Sequence, residues 1–351
     1  MPRSASPALP RLRVLATGGT IAGAQVKGAR GYRAAAFSVE ALIAAVPQLG
    51  EIARLEVEQV AAIGSQDMDE ATWRRLAART QAALDDAALA GAVITHGTDT
   101  MEETAYFLNL VVRTAKPIVL VGAMRPATAI SADGPMNLHN AIAVAAHPAA
   151  RARGVLVVAN DEIHFAREIA KTNTTQVGTF ASGHRGLAGL VNAGRIHFYA
   201  PPVRRHTAQS EFAGSSAGVP PASSGKAGED TCATPLPRVD ILYAHAGLGR
   251  ELIDAAVRAG ARGLVIAGVG DGNLSATALA ACAEATQSGV AVVRSSRTGG
   301  GVVERNIEID DDRHGFVVAD ELNPQKARVL LQLGLTRTRD SRALQEMFFT
   351  Y

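Results

Sequence analysis

Three features are scarce in this 351-residue chain, and each scarcity argues against a class of protein. Only two cysteines occur, Cys232 and Cys282, without Cys-x-x-Cys or paired-histidine spacing. The sequence therefore indicates neither a zinc site nor a disulfide framework, and nothing in it supports the one disulfide that these two cysteines could form. No uninterrupted run of about 18 apolar residues is present, so we expect no membrane-spanning helix. The net charge of +2 offers no general attraction to nucleic acids or anionic membranes.

What remains is the composition of an ordinary globular protein, with 47% hydrophobic and 19% charged residues. This composition, with no general attraction to nucleic acids or membranes, favours a protein that acts on a small molecule. Its length exceeds what one hydrophobic core usually supports, which predicts two domains. The first ten residues lack an apolar stretch of signal-peptide length. We therefore expect a cytoplasmic protein, with a periplasmic location as the alternative if an export signal had been removed.

Apolar segments alternate with amphipathic ones, which predicts βαβ units and a mostly parallel sheet. Strands are predicted at 12–16, 55–60, 92–95, 118–122 and 155–159. Helices are predicted after a Ser38 cap, from Asp69, and over 102–112 and 138–146. A second series has strands at 239–243, 263–266 and 290–293, helices at 251–259 and 276–288, and two further helices at 325–333 and 341–349.

This pattern predicts an α/β protein of two domains. The larger N-terminal domain, residues 1–200, should contain a mostly parallel sheet flanked by helices, and the smaller domain, residues 238–351, a second parallel sheet. Residues 201–237 are rich in Ser, Gly and Pro and lack an apolar face, which predicts an exposed interdomain linker. Two segments are less regular. Residues 28–33 resemble a Gly- and Arg-rich loop, and residues 162–198 are compatible with a hairpin.

The first candidate site follows the first strand, in Thr-Gly-Gly-Thr-Ile-Ala-Gly at 17–23. Ligands of open α/β sheets bind at the carboxyl ends of strands, and glycines there allow close backbone approach. Thr20 is a candidate nucleophile, which would need a partner to take its proton, and Tyr32 is close enough in sequence to serve. The alternatives stay open: a turn whose threonines satisfy backbone groups, and an ordinary loop aromatic. A dinucleotide site is disfavoured, because the glycine spacing is not Gly-x-Gly-x-x-Gly.

The second candidate site follows the strand at 92–95, where Thr98 and Asp99 place a hydroxyl beside a carboxylate. Lys171 is the candidate base, since a buried lysine can lose its proton near physiological pH. Most lysines are solvated surface charges, so that alternative is retained. His96 precedes the turn, and strand alternation directs it away from Thr95. We interpret it as a packed structural histidine.

These segments together resemble the two signature motifs of bacterial L-asparaginases, of the type II asparaginase and glutaminase-asparaginase family. The motifs are Thr-Gly-Gly-Thr-Ile-Ala at 17–22 and His-Gly-Thr-Asp-Thr-Met-Glu-Glu-Thr-Ala at 96–105. Four more segments resemble that family, at 121–126, 131–138, 292–297 and 322–328. The resemblance runs from about residue 13 to residue 351, apart from the linker.

The resemblance implies a role for each matching residue. Thr20 matches the nucleophile and Tyr32 the tyrosine of the active-site loop that assists it. Thr98, Asp99 and Lys171 match the second catalytic set, in which lysine and aspartate orient a threonine, and hence a water molecule, for the later step.

Four further matches concern substrate binding. Ser65 and Gln66 match residues that hold the substrate's α-carboxylate and α-amino groups, and Asp99 also faces that amino group. Asn273 and Glu308 match residues that family members contribute across a subunit contact; their alternatives are a turn asparagine and a member of an acidic stretch. Thr98 lies among the same substrate-binding residues.

The resemblance implies hydrolysis of L-asparagine to L-aspartate and ammonia by double displacement, with secondary L-glutaminase activity as an option. No metal or organic cofactor is implied. It also implies a homotetramer built from intimate dimers. The alternatives are an ammonia-releasing amidotransferase subunit and a non-catalytic amino-acid-binding module. Two departures from the family stand out: no cysteine occurs over 83–114, where enterobacterial members carry a disulfide, and the linker is long.

Overall fold

The computed structural model describes residues 8–25, 32–33, 37–213 and 235–351, and for Gln25, Tyr32 and Arg33 it describes the backbone only. These residues form two compact units. The first contains the described residues through Ser182 together with Gly186–Gln209, and the second contains Gly183–Arg185 and the described residues from Ser210 onward. Within these ranges, no helix is long and apolar enough to cross a membrane.

The described part of the first unit contains the following strands: β1 (Arg11–Gly18), β2 (Ala24–Gln25), β3 (Tyr32–Arg33), β4 (Arg54–Ile63), β5 (Leu89–Thr95), β6 (Ile118–Val121), β7 (Val155–Ala159), β8 (Glu162–Phe165), β9 (Ile169–Lys171), β10 (Phe180–Ser182), β11 (Gly189–Asn192) and β12 (Arg195–Phe198). Its helices are α1 (Val39–Ala44), α2 (Leu49–Ile52), α3 (Glu70–Asp85), α4 (Met101–Val111) and α5 (Gly134–Ala146). The second unit contains β13 (Val239–Tyr243), β14 (Gly263–Gly268), β15 (Ala291–Ser296) and β16 (Val317–Val318), with α6 (Glu251–Arg258), α7 (Ala276–Gln287), α8 (Asp311–His314), α9 (Pro324–Gly334) and α10 (Ser341–Thr350).

An eight-stranded sheet forms the centre of the first unit, in the order β12-β11-β8-β7-β6-β5-β1-β4. Strands β4, β1, β5, β6 and β7 are parallel, and β8, β11 and β12 add antiparallel pairs at one edge. The inner strands β6 and β7 are buried along their whole length, as expected for strands covered on both faces. The predicted α/β class with a mostly parallel sheet is confirmed.

Local signals explain where the helices begin. Asp69 is the N-cap of α3, not its first residue, because its Oδ1 accepts the Thr72 backbone N–H at 2.8 Å. Helix α5 begins at Gly134, four residues before the predicted start of 138. The Gly-Pro pair at 134–135 suggests a loop, yet proline is well tolerated in the first turn of a helix.

Three segments differ from the prediction. Tyr32 and Arg33, predicted as loop, form β3, which pairs with β2 in an antiparallel ribbon; residues 26–31 between them lie outside the described residues. The irregular segment 162–198 holds β8 to β12, including the antiparallel pair β11–β12. Helix α8 and strand β16 were not predicted, because elements of four and two residues are too short to show a periodic pattern.

The second unit contains a parallel four-stranded sheet in the order β13-β14-β15-β16. Its largest buried polar group is Arg294 on β15, which is 1% exposed and forms a bidentate ion pair with Asp311 at 2.7 and 2.8 Å. The same guanidinium donates to the carbonyl oxygens of Asp271, Gly272 and Glu304. This one side chain therefore joins the loop after β14 to the loop that follows β15.

Part of the predicted linker lies beyond the described residues. In the described flanks of 201–237, the side chains of Thr207, Ser210 and Phe212 are buried, while residues 214–234 are not described, so the linker and domain boundaries stay predictions.

Cys282 is a buried free thiol, and burial raises its pKa to about 12. Cys232 lies outside the described residues, and with it the open question of a disulfide.

Candidate active site

Two predicted motifs meet at the carboxyl ends of adjacent parallel strands. Strands β1 and β5 pair up to Ala16 and Thr95, and the hydroxyl of Thr17 donates to the Thr95 carbonyl at 2.9 Å. Just beyond, Gly19 has a φ of +81°, and a Cβ there would overlap the backbone of Gly97. This close approach requires glycine and brings the two turns into contact.

A third segment completes this packing. A Cβ on Gly97 would meet the Ser65 side chain at 2.6 Å from Oγ and the Gly19 Cα at 3.2 Å. Ser65 begins a short 3-10 turn, Ser65–Asp67, directly after β4. The segments that carry Thr20, Ser65 and Thr98 are therefore neighbours, and these three side chains are 5%, 4% and 5% exposed.

Replacing Gly97 with alanine should destabilise the protein and lower its activity, because the methyl group would overlap Ser65 and displace the turn that carries Thr98. Overpacking of this kind costs about 1–3 kcal/mol in the free energy of unfolding. Denaturant unfolding measures the first effect, and an assay of the hydrolysis that the sequence resemblance implies measures the second. Gly50→Ala is the matched control, since a Cβ at Gly50 in α2 meets nothing within 4 Å. An unchanged stability and rate for Gly97→Ala would contradict the proposed packing role.

Lys171, Thr98 and Asp99 contact one another in the structure, although Lys171 lies 73 and 72 positions from the other two in the sequence. The Lys171 ammonium, on β9, donates to Thr98 Oγ1 at 2.9 Å and to Asp99 Oδ1 at 2.6 Å. The Lys171 side chain is 16% exposed, whereas that of Asp99 is 56% exposed. Lys171 is therefore not a solvated surface charge. A lysine nitrogen held against a hydroxyl can pass a proton to or from it, and the exposed carboxylate can face a cationic ligand.

Ser65 is connected to the same turn by hydrogen bonds. Its Oγ accepts the Asp99 backbone N–H at 3.1 Å, and its carbonyl accepts the Thr100 hydroxyl at 2.8 Å. Gln66 follows on the 3-10 turn with an exposed side chain, whose Nε2 lies 3.4 Å from Asp67 Oδ2. Ser65 is thus hydrogen-bonded directly to the turn that carries Asp99, and Gln66 is the next residue in the chain.

The first predicted catalytic pair is described only in part. Thr20 begins the 3-10 turn Thr20–Ala22 after β1, and its carbonyl accepts the Gly23 N–H at 2.8 Å. The backbone of Tyr32 pairs with Gln25 in the β2–β3 ribbon. The Tyr32 side chain lies outside the described structure, so its assignment as partner of Thr20 stays a prediction.

Asn273 and Glu308 lie in the second unit and contact each other. Asn273 Nδ2 donates to Glu308 Oε2, although 35 residues separate the two in sequence. The loops that carry Asn273 and Glu308 are the two that Arg294 joins through the carbonyl oxygens of Asp271 and Glu304. Asp271 and Glu304 also contact each other, because Asp271 Oδ1 accepts the Glu304 N–H at 2.8 Å. The structure thus brings this pair together within its own unit.

His96 is a packed histidine, as predicted. It is fully buried, and its Nδ1 lies 2.7 Å from the Gly97 carbonyl. Burial lowers its pKa to about 4, so the ring is neutral above that pH and cannot act as a cationic group at physiological pH.

One residue of the site was missed by sequence reasoning. Glu102, in the first turn of α4, is 5% exposed, and its Oε2 accepts the Lys171 backbone N–H at 3.0 Å. An acid in the first turn of a helix is usually explained by the helix dipole alone. The sequence signal for Glu102 was its place in the second signature motif, two residues after Thr100, but that motif did not indicate a contact with Lys171. Among the described residues, no cluster of three or more His, Cys, Asp or Glu side chains could hold a metal ion.

The sequence matches two family models that together span both units. One is described as "Asparaginase, N-terminal" and matches residues 11–204; the other is "Glutaminase/Asparaginase C-terminal domain" and matches residues 238–348. The chain is 47% identical to L-asparaginase 2 of Escherichia coli K12 over 98% of its own length and 94% of that protein. It is 46% identical to a "Probable L-asparaginase periplasmic" of Haemophilus influenzae, with 97% and 93% covered, and 43% identical to the glutaminase-asparaginase of Pseudomonas fluorescens, with 96% and 90% covered.

Proposed function

Because this chain belongs to the bacterial type II asparaginase and glutaminase-asparaginase family, we infer that it is an amidohydrolase that converts L-asparagine to L-aspartate and ammonia. The inferred enzyme acts on a linear carbon–nitrogen amide bond of a small molecule. The observation that carries the inference to this chain's own residues is the contact of the Lys171 ammonium with both Thr98 Oγ1 and Asp99 Oδ1.

We propose that the reaction is a double displacement that begins at Thr20. In the first step, Thr20 Oγ1 attacks the side-chain amide carbon and gives up its proton with the help of Tyr32. The amide nitrogen takes up one proton and leaves as ammonia when the carbon–nitrogen bond breaks. An ester between Thr20 and the substrate's acyl group remains. Backbone N–H groups near Thr98 stabilise the oxyanion of the tetrahedral intermediate.

The second step hydrolyses that ester. A water molecule attacks the acyl carbon and loses a proton, and Thr20 regains a proton as aspartate is released. We assign the orientation of this water and the transfer of its proton to Thr98, supported by Lys171 and Asp99. The observation that supports this assignment is that the Lys171 nitrogen donates to both the buried Thr98 hydroxyl and the exposed Asp99 carboxylate.

Substrate binding is assigned to residues around the same turn. The α-amino group of asparagine is a cation, and the half-exposed Asp99 carboxylate offers the opposite charge beside Ser65 and Gln66, which we assign to the α-carboxylate and α-amino groups. Asn273 and Glu308 are assigned to the same task from a neighbouring subunit. Their mutual hydrogen bond supports a shared role.

The purified protein should release ammonia from L-asparagine and, with lower kcat/KM, from L-glutamine. One methylene in a pocket changes discrimination by only about 1–3 kcal/mol, so both activities should be within reach of the same assay. Parallel ammonia assays over a range of both amides provide the comparison. Binding of asparagine without any release would contradict the hydrolase and favour a non-catalytic binding module. Release that requires an added partner subunit would favour the amidotransferase alternative.

We propose a homotetramer built from two intimate dimers. The support is the assignment of Asn273 and Glu308 to a site completed across a subunit contact, which would make the oligomer a requirement for activity. Light scattering of the purified protein measures its mass against the 36.4 kDa chain. A monomer with full activity would contradict the assignment.

The cellular location also stays a proposal. The sequence-based expectation is cytoplasmic, and the alternative is periplasmic; one of the relatives carries "periplasmic" in its name. Fractionation of the native host, followed by detection of this protein, distinguishes the two compartments.

A further inference from the structure

The strand that carries Lys171 belongs to a small ribbon. Strands β9 and β10 have three residues each and pair antiparallel, with Lys171 opposite Phe180 and Ile169 opposite Ser182. In the described part of the chain, β9 pairs with β10 alone, and neither strand joins the eight-stranded sheet. A two-stranded ribbon is at best marginally stable by itself. The position of Lys171 therefore depends on contacts that fasten this ribbon to the rest of the unit.

A contact at the Lys171 end comes from Glu102. Its carboxylate is buried in the first turn of α4 and accepts the Lys171 backbone N–H at 3.0 Å. Thr98 and Asp99 lie directly before the same helix, and the Lys171 ammonium donates to both. The start of α4 thus holds the backbone of Lys171 and also supplies both partners of its side chain.

The other end of the ribbon is fastened separately. His164, fully buried on β8 of the large sheet, has its Nδ1 2.9 Å from Ser182 Oγ on β10. This contact lies opposite Ile169, two residues from Lys171. It fixes the ribbon to the sheet but does not determine how far β9 lies from the Thr98 turn. Glu102 bonds the backbone of Lys171 itself and lies three residues after Asp99 in the chain, so it can set that distance.

We propose that Glu102 is a positioning residue for the second step, holding Lys171 Nζ within reach of Thr98 and Asp99 while water hydrolyses the acyl-enzyme. This proposal rests on the proposed function, in which Lys171 serves that step. The role depends on the reach of the acceptor oxygen and not on its charge. A displacement of about 1 Å at a catalytic group can cost on the order of 10²-fold in rate.

Two substitutions of Glu102 test the position of its acceptor oxygen and its negative charge separately. Glu102→Gln keeps the length and an acceptor oxygen but removes the charge, whereas Glu102→Asp keeps the charge and withdraws the acceptor by one methylene. We expect Glu102→Gln to retain kcat within about threefold, and Glu102→Asp to lose about 10- to 100-fold. Glu251→Gln is the matched control, since Glu251 is an exposed acid in the first turn of α6. Its kinetics should equal those of the wild type.

Ammonia leaves before the ester is hydrolysed, so the impaired step can be identified directly. Rapid-quench assays of Glu102→Asp with L-asparagine should show a burst of about one ammonia per active site, followed by slow turnover. Its kcat/KM should stay close to that of the wild type while kcat and KM fall together. Intact mass after acid quench should show the aspartyl adduct on the protein.

Several results would overturn the positioning role. These are a wild-type kcat for Glu102→Asp, a Glu102→Gln enzyme as impaired as Glu102→Asp, or an equal loss of kcat and kcat/KM without a burst, which indicates a general structural disturbance. Failure of the proposed function has a different signature. In that case the wild-type protein itself releases no ammonia from L-asparagine.

Discussion

Thr20→Ala should remove at least about 10³-fold of the asparaginase kcat, because the substitution deletes the oxygen that forms the acyl-enzyme. Thr20 is buried in the turn after β1, beside the Gly19–Gly97 contact that brings the two motifs together. Ammonia release from L-asparagine under saturating conditions measures the effect. Denaturant unfolding should show a change of no more than about 1–2 kcal/mol, so loss of activity will not be explained by unfolding.

Thr20→Ser is the matched control, since it keeps a hydroxyl at the same position and loses one methyl group. We expect it to retain measurable turnover and to form an acyl adduct on the serine. Equal rates for wild type and Thr20→Ala would eliminate Thr20 as the nucleophile. An adduct mapped to Thr98 in the wild-type enzyme would assign the first attack to the other motif.

Lys171→Met should give the second-largest loss, about 10²- to 10⁴-fold in kcat, the range expected when a group that transfers a proton is removed. Methionine has a similar length but no charge and no donor, so the hydrogen bonds to Thr98 Oγ1 and Asp99 Oδ1 both disappear. Because we assign Lys171 to the second step, the first ammonia should still be released in a burst. Steady-state and rapid-quench assays with L-asparagine measure both effects.

Lys116→Met is the control for removing a partly buried lysine. The Lys116 ammonium donates to the backbone carbonyl oxygens of Leu84 and Asp86 at 2.8 and 2.7 Å. This variant should lose stability but keep the wild-type kcat. If both lysine variants lost activity equally, the effect would follow from loss of structure, and the assignment of Lys171 to proton transfer would be wrong.

Much of the fold could be predicted from the sequence, because hydrophobic periodicity and turn residues are local signals. Strand β7 occupies the predicted 155–159, and Asp69 caps α3 within one residue of the predicted start. Errors arise where the local signal is ambiguous. The Gly-Pro pair at 134–135 delayed the predicted start of α5, and β9 and β10 are too short to have a recognisable period.

The roles of the candidate site residues stay predictions, and the structure describes only how close those residues lie to one another. Four of these residues were named from the sequence and lie close together near the carboxyl ends of the parallel strands: Ser65, Thr98, Asp99 and Lys171. The reach of Glu102 to Lys171 was not foreseen, because a helix-start acid is most often explained without a tertiary partner. The assignment of Tyr32 depends on a side chain that the structure does not describe.

The sequence alone determined the α/β class, the order of most strands and helices, and the residue types at the two glycine turns. These follow from the spacing of apolar residues and from the conformations that glycine permits, which depend on near neighbours in the chain. Only the tertiary structure decided that Lys171 contacts a threonine 73 positions away in sequence. That contact depends on where the β9–β10 ribbon packs, and no pattern within a three-residue strand encodes its position.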